Sequence, residues 1–265
     1  MPSPTRPLGG PAYGSIPHLP GSRTGPADRH LGLGQARWGL HEASPEREVF
    51  VEEKLDGSCV AATRIGDEVL ALGRQGDLAA RSRNEGRRLW AAWVTKHRAR
   101  FVRLLAPGER VVGEWLALVH GTRYALSHEP FVAFDLFDAD GKRLTHDLRQ
   151  ARLGAEGFAL PALLHRGGPL SLTAADALLG AHGHHGALQQ AEGAVWRVER
   201  HRGGSPSVEW IAKFVRPGKE DGRLLPERTG RAALWNWRPS PAPPTHAIAA
   251  RGQHARPVHP SDRDL

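Results

Sequence analysis

Glu52-Glu53-Lys54-Leu55-Asp56-Gly57-Ser58 is the densest run of chemically capable residues in the chain, and its neighbours are best read outward from it. A lysine just after a strand, followed two residues on by Asp-Gly, sits at a tight turn that Gly57 permits. The turn would hold the ammonium at the mouth of a sheet. A surface lysine in an ordinary hairpin turn has the same local pattern, so the run takes its meaning from what lies around it.

Strand signals follow at once. Ser58 to Ile65 and Glu68 to Arg74 are two short runs separated by Gly66-Asp67, which predicts a hairpin. Arg110 to Leu118 and Pro130 to Phe137 are rich in apolar, β-branched or aromatic residues, and the second precedes the turn Ala139-Asp140-Gly141. Ala194 to Glu199 and Val208 to Val215 flank a turn at Gly203-Gly204-Ser205-Pro206. Helical spacing runs from the N-cap Asn84 through Leu89, Ala92, Trp93 and Phe101, and a second helix is predicted from Thr173. Strands interrupted by helices without strict βαβ alternation predict an antiparallel-rich α+β domain.

That domain spans residues 46–237. Residues 1–45 are crowded with Pro and Gly and are expected to be an irregular or disordered N-terminal extension. Residues 238–265 are expected to be a disordered Pro/His/Arg tail. The chain has 265 residues, 36 Lys+Arg against 28 Asp+Glu, and a net charge of +8, which leans toward a polyanionic partner, nucleic acid above all. No apolar run reaches the roughly 18–20 residues of a membrane span, and the first residues lack a secretory layout. A single cysteine, Cys59, excludes an internal disulfide and a zinc site built on cysteine pairs, in keeping with a cytoplasmic location.

Several chemistries are absent. There is no GxxxxGK[ST] loop, HExxH or GxSxG, and His182, His184 and His185 lack a nearby carboxylate or Cys to complete a metal site. What is present is an ordered series after the Lys54 run. It comprises Leu72-Gly73-Arg74-Gln75-Gly76, Val112-Gly113-Glu114-Trp115 and Phe131-Val132-Ala133-Phe134-Asp135-Leu136, then Ala191-Glu192-Gly193-Ala194-Val195, and finally Glu209 to Arg216. From Val51 to Arg216 this series resembles motifs I, Ia, III, IIIa, IV and V of the covalent nucleotidyltransferases, the superfamily of DNA ligases, RNA ligases and mRNA-capping enzymes. KxDGS, the Gly113 to Tyr124 stretch and the FxAFDL element are most similar to ATP-dependent RNA ligases of the phage type. The resemblance implies an antiparallel-rich nucleotidyltransferase domain of the ATP-grasp-like adenylation kind.

Lys54 would attack the α-phosphorus of ATP and form lysyl-AMP. A free lysine of pKa about 10.4 is neutral at pH 7 to only about one part in 10³–10⁴, which is roughly 4–5 kcal/mol. Nearby cations lower such a pKa, and Lys213 is the candidate for one; it would also contact the α-phosphate. Lys213 is equally compatible with an outward-facing strand position. The resemblance assigns Glu192 to a metal ion, Mg²⁺ or Mn²⁺, and Glu114 to the ribose hydroxyl. It assigns Arg74 to ribose or phosphate, Glu53 to the adenine amino group, and Asp56 and Gly57 to the nucleotide-binding set. Phe134 is a candidate to stack on adenine, because strand alternation sets it on the face opposite Phe131, Ala133 and Phe137.

Two positions depart from the family pattern. Ile211 stands where the first of two motif V lysines is usual, a loss that Arg216 or Lys219 could make good, and Cys59 stands where RNA ligases of this class often have Asn and DNA ligases Arg. The expected reaction is ATP-dependent joining of 5′-phosphate and 3′-hydroxyl ends, with RNA the leading substrate. A DNA ligase, a GTP-using capping-type transferase and a non-catalytic nucleic-acid-binding module are the alternatives. Arg81, Arg83, Arg87 and Arg88 form either a track for phosphates or the solvated face of a helix. Too few residues follow motif V for a typical second domain, so a protein partner or the chain ends would assist substrate binding. The sequence leaves the oligomeric state open.

Overall fold

The computed structural model describes residues 6–26, 28–203 and 205–240. Two four-stranded antiparallel sheets form its centre. The first contains β1 (Arg47–Lys54), β6 (Leu163–Gly167), β7 (Gly193–Arg202) and β8 (Ser205–Val215) in the order β6-β1-β7-β8. The second contains β2 (Ser58–Ile65), β3 (Glu68–Gly73), β4 (Arg110–Trp115) and β5 (Phe131–Phe137) in the order β3-β2-β4-β5. The α+β class and the β2–β3 hairpin about Gly66, which has φ 58°, are as expected from the sequence. The turn between β7 and β8 includes Gly204, outside the described residues.

Period-2 alternation gives each sheet an outer face for helices and an inner face for a cleft. On the first sheet Val49, Val51, Ala194, Trp196, Val198, Trp210, Ala212 and Phe214 pack outward against α1 (Leu33–Leu40) and α5 (Leu172–Leu179). On the second, Val60, Ala62, Val111, Phe131, Ala133 and Leu136 pack outward against α2 (Glu85–Lys96) and α3 (Arg98–Leu104). Trp90, Trp93, Trp115, Phe101 and Phe131 form the aromatic centre of that second core. Helix α2 starts where Asn84 Oδ1 accepts the backbone N–H of Arg87, the predicted cap.

The inner faces carry the chemistry. Glu52 and Lys54 of β1, Val195 and Arg197 of β7, and Ile211 and Lys213 of β8 look toward Cys59 and Glu114 of the second sheet. Helix α4 (His146–Ala155) closes one end: His146 stacks on Phe50 at 4.1 Å, and the Arg149 guanidinium grips both oxygens of the Glu52 carboxylate.

Strand alternation misplaces one residue. Val112 pairs with Asp135 and Gly113 with Ala133, so Phe134 is an unpaired bulge residue in β5. The bulge reverses the phase of the strand. Phe131 and Ala133 pack outward as expected, but Phe137 lies with Phe134 on the inner side, and Leu136 takes the outer position instead.

The N-terminal extension is irregular in path, apart from α1, and packs onto both sheets: Ala12 and Leu19 are fully buried. Trp237 packs edge-on to Trp115 at 5.8 Å. Of the predicted tail, residues 241–265 lie outside the described residues, and so do residues 1–5 of the extension.

Candidate active site

Lys54 is the last residue of β1, and its Nζ donates to Glu192 Oε2 at 2.7 Å and to the Leu55 carbonyl at 3.3 Å. Glu192 immediately precedes β7, whose Gly193 pairs with Lys54 in register, so the sheet itself sets the lysine against the carboxylate. The next turn of chain is fixed as tightly. Asp56 Oδ2 accepts from the Gly121 N–H at 3.1 Å and from Thr122 Oγ1 at 3.0 Å, and the Asp56 N–H donates to Tyr124 Oη at 3.0 Å. The Gly57 N–H donates to Glu114 Oε1 at 3.0 Å. A Cβ on Gly57 would stand 2.7 Å from the Trp115 carbonyl oxygen, so glycine is required here for close approach between strands.

Three carboxylates therefore surround one ammonium. Burial alone would lower the Lys54 pKa, but Glu192, Glu114 and Asp56 outweigh it and hold Lys54 above its ordinary range. The surplus of acid acts on the carboxylates too. Burial pushes Glu192 up to about 7 and Glu114 up to about 8, in both cases against the pull of Lys54. The lowering expected from Lys213 does not result: burial and then Lys54 lower the pKa of Lys213 itself, while Lys54 is raised. On Lys54 the carboxylates prevail over that cation.

Two compartments meet at Lys54. One, of about 130 Å³, is lined largely by apolar groups, among them Tyr13, Ile16, Phe134, Pro161, Val195 and Ile211. The other, of about 530 Å³, is polar and includes His120, Glu192, Lys219 and Asp221. Lys54, Cys59, Arg74, Glu114 and Lys213 line both. Phe134 stands in the wall of the first, half-buried, with the Tyr13 ring edge-on at 5.2 Å. The nine sequence-predicted residues thus gather about one point, with one difference in orientation. Glu53 lines the apolar compartment, yet its Oε2 accepts from the His184 N–H at 2.7 Å; its buried Oε1 has no hydrogen-bond partner among the described residues.

The two departures have structural counterparts. Ile211 pairs in register with Arg197, a cation beside the missing one, but Arg197 is already joined to Asp135 at 2.8 Å. Arg216 is consumed elsewhere, binding Asp176 and the Gly180 carbonyl beyond α5. Lys219 does reach the polar compartment, where its Nζ donates to Thr122 Oγ1 at 2.7 Å and the Gln190 carbonyl at 2.6 Å. Cys59 faces Glu114 across β2 and β4, and burial pushes its thiol up, away from thiolate chemistry.

Sequence reasoning named the Gly113 to Tyr124 stretch only as a pattern. Its work is specific: Gly121, Thr122 and Tyr124 hold the backbone and carboxylate of Asp56, and His120 Nε2 meets Ser58 Oγ at 2.9 Å. Among the described residues, Asp56, His120 and Asp221 lie close enough to share a cation. Among the described residues no helix is long and apolar enough to cross a membrane.

The chain is similar to solved structures of Naegleria gruberi RNA ligase. With the form solved with PPi it shares 18% identity over 64% of this chain and 50% of that one, at a TM-score of 0.47. With a mutant solved with ATP and Mn it shares 16% identity over 68% of this chain and 51% of that one, at 0.46. The chain spans about half the length of these enzymes. No curated protein matches it. The family model described as RNA ligase matches residues 47–215, a span that begins with β1, ends with β8 and contains Lys54, Glu114, Glu192 and Lys213. The chain belongs to the RNA ligase family.

Proposed function

We propose that this chain is an ATP-dependent polynucleotide ligase acting on RNA ends through a lysyl-AMP intermediate. The observation that carries the reading is the position of Lys54 Nζ, at the junction of an apolar compartment and a polar one and 2.7 Å from the half-buried carboxylate of Glu192. A nucleotide is itself divided in this way, with a flat base at one end and a polyanion at the other. Adenine suits the compartment walled by Phe134, and the phosphates suit the one bordered by Lys213, Lys219 and Arg74.

In the first step neutral Lys54 Nζ attacks the α-phosphorus. A P–N bond forms, the bond to pyrophosphate breaks, and the amine loses a proton. Lys213, whose pKa is lowered but which remains a donor, would stabilise charge gathering on the α-phosphate. An oxygen of a 5′-phosphate end then displaces Lys54, taking the adenylyl group. A 3′-hydroxyl finally attacks that 5′-phosphorus, and AMP leaves as the strand is sealed.

The donors about Lys54 fit a hard divalent ion, since Glu192, Glu114 and Asp56 offer only oxygen. Glu192 is the residue to hold it, with Asp56 as its neighbour. Bound there, Mg²⁺ or Mn²⁺ would supply charge neutralisation at the phosphates. Engaging Glu192 in this way would weaken its ion pair with Lys54, leaving the amine easier to deprotonate.

The test is incubation with labelled ATP and a divalent metal, followed by a panel of nicked and single-stranded RNA and DNA ends. Sealing of RNA ends by wild type and not by Lys54→Ala is the expected result. Label transfer from GTP in preference to ATP, or sealing of DNA alone, would replace this reading with one of its neighbours.

A further inference from the structure

The segment before α1 lies outside residues 47–215, the span matched by the family model, yet it lines both compartments. It is fastened at each end to a different sheet. On the second sheet the Tyr13 N–H donates to the Arg74 carbonyl at 3.1 Å, and Arg110 Nε donates to the Ala12 carbonyl at 3.0 Å. Gly76, at φ 85°, is packed so closely that a Cβ would overlap the Gly10 carbonyl oxygen. On the first sheet the segment follows the outer edge of β8. The Lys213 N–H donates to the Pro17 carbonyl at 2.9 Å, the Leu19 N–H donates to the Lys213 carbonyl at 2.8 Å, and the Arg23 N–H donates to the Val215 carbonyl at 2.9 Å.

Between these anchors the strap crosses the cleft. A segment that merely covered the sheet edge would turn its apolar side chains into the core, as Ala12 and Leu19 do. Tyr13, buried in the same cluster as Ala12, and the half-buried Ile16 do more, for both also line the apolar compartment beside Phe134 and Ile211. The Tyr13 and Phe134 rings meet in a T-shaped pair with centroids 5.2 Å apart, so together they wall one side of the compartment for a flat ligand. Arg23 lines the polar compartment, in common with Lys54 and Lys213.

We propose that this strap is a constituent of the nucleotide site, with Tyr13 and Ile16 as base-contacting residues and Arg23 as a phosphate-contacting one. The inference rests on the reading of Lys54 as an adenylated nucleophile. It adds that binding of the base depends on residues outside the family-matched span, and that both backbone groups of Lys213 are held by the strap.

The experiment uses the full chain. Initial rates of lysyl-AMP formation against ATP concentration are measured for wild type, Tyr13→Ala, Tyr13→Phe, Ile16→Trp and Arg23→Ala, with ATP binding to each measured by calorimetry. Expected are a KM and a Kd for ATP raised at least tenfold in Tyr13→Ala, Ile16→Trp and Arg23→Ala, a kcat changed less than threefold in Tyr13→Ala, and recovery in Tyr13→Phe. Ile16→Trp keeps apolar bulk and fills the compartment, so it answers the question even where Tyr13→Ala loses fold. Unchanged KM and Kd in Ile16→Trp and Arg23→Ala would overturn the strap's role while wild-type labelling leaves the Lys54 reading intact. ATP binding that is weakened by these variants, in a wild-type chain that takes no label, would support the strap and overturn the nucleophile.

Discussion

Lys54 Nζ and Glu192 Oε2 stand 2.7 Å apart, and the lysine is outnumbered by the acids around it. In the proposed reaction Lys54, the nucleophile, is thereby stored in its protonated, unreactive form. Glu192 must be ionised to hold a metal ion and Lys54 must be neutral to attack, and both conditions improve as pH rises through and beyond the Glu192 value of about 7. Lysyl-AMP formation is expected to accelerate steadily between about pH 6 and 9, with the metal concentration for half-maximal rate falling over the same interval. Glu192→Gln should lower the rate by at least about 100-fold. A rate that peaks below pH 7 would contradict this assignment.

Glu114 gives a stability prediction of definite sign. Its folded-state pKa of about 8 lies above the ordinary glutamate value, so the folded protein favours the protonated acid. That contribution is complete below about pH 4 and is lost as pH rises through 8. Glu114→Gln keeps an oxygen for the Gly57 N–H and removes the titration. The variant should melt close to wild type near pH 5 and a few degrees higher near pH 8, as ~1 kcal/mol moves Tm by about 2–4 °C in a chain of this size. Thermal melts at the two pH values settle it.

The floor of the cleft rests on buried ion pairs. Arg149 is fully buried against Glu52, and Arg197 is 2.8 Å from Asp135. Arg149→Met is expected to cost about 3–5 kcal/mol, because it strands the Glu52 carboxylate. Adding Glu52→Leu should recover most of that loss in urea unfolding, since well-packed apolar residues can replace a buried pair.

These pairs also explain what was legible in the sequence and what was not. The hairpin at Gly66, the cap at Asn84 and the helix predicted from Thr173 all carry local signals; the first two are where composition and spacing place them, and the helix begins one residue earlier, at Leu172, with Ser171 as its cap. Helix α4 carries none, since the residues it buries are His146, Arg149 and Leu153 and its inward face is ionic. Apolar periodicity cannot find such a helix. Phe134 was assigned to its face by alternation, a rule that the bulge suspends from that residue onward. The site residues were legible as an ordered series, whereas the strap was not. Its Pro and Gly hide any period, and its partners Arg74, Arg110 and Lys213 are distant in sequence.

The basic cluster separates into two groups. Arg87 lines the polar compartment, whereas Arg81, Arg83 and Arg88 are exposed, Arg88 being tied to the Ser82 and Arg83 carbonyls. If Arg81 and Arg83 contact phosphates, changing both to Ala should lower the slope of log affinity for single-stranded RNA against log salt by about 1.4. Lysyl-AMP formation without RNA should be unaffected. An unchanged slope would mark these arginines as the solvated approach to α2.

The most direct test is peptide mapping of the chain by mass spectrometry after incubation with ATP and a divalent metal. One acid-labile adenylyl group on Lys54, absent from Lys54→Ala, is the predicted result. Adenylyl label on another residue, or equal labelling of wild type and Lys54→Ala, would contradict the account.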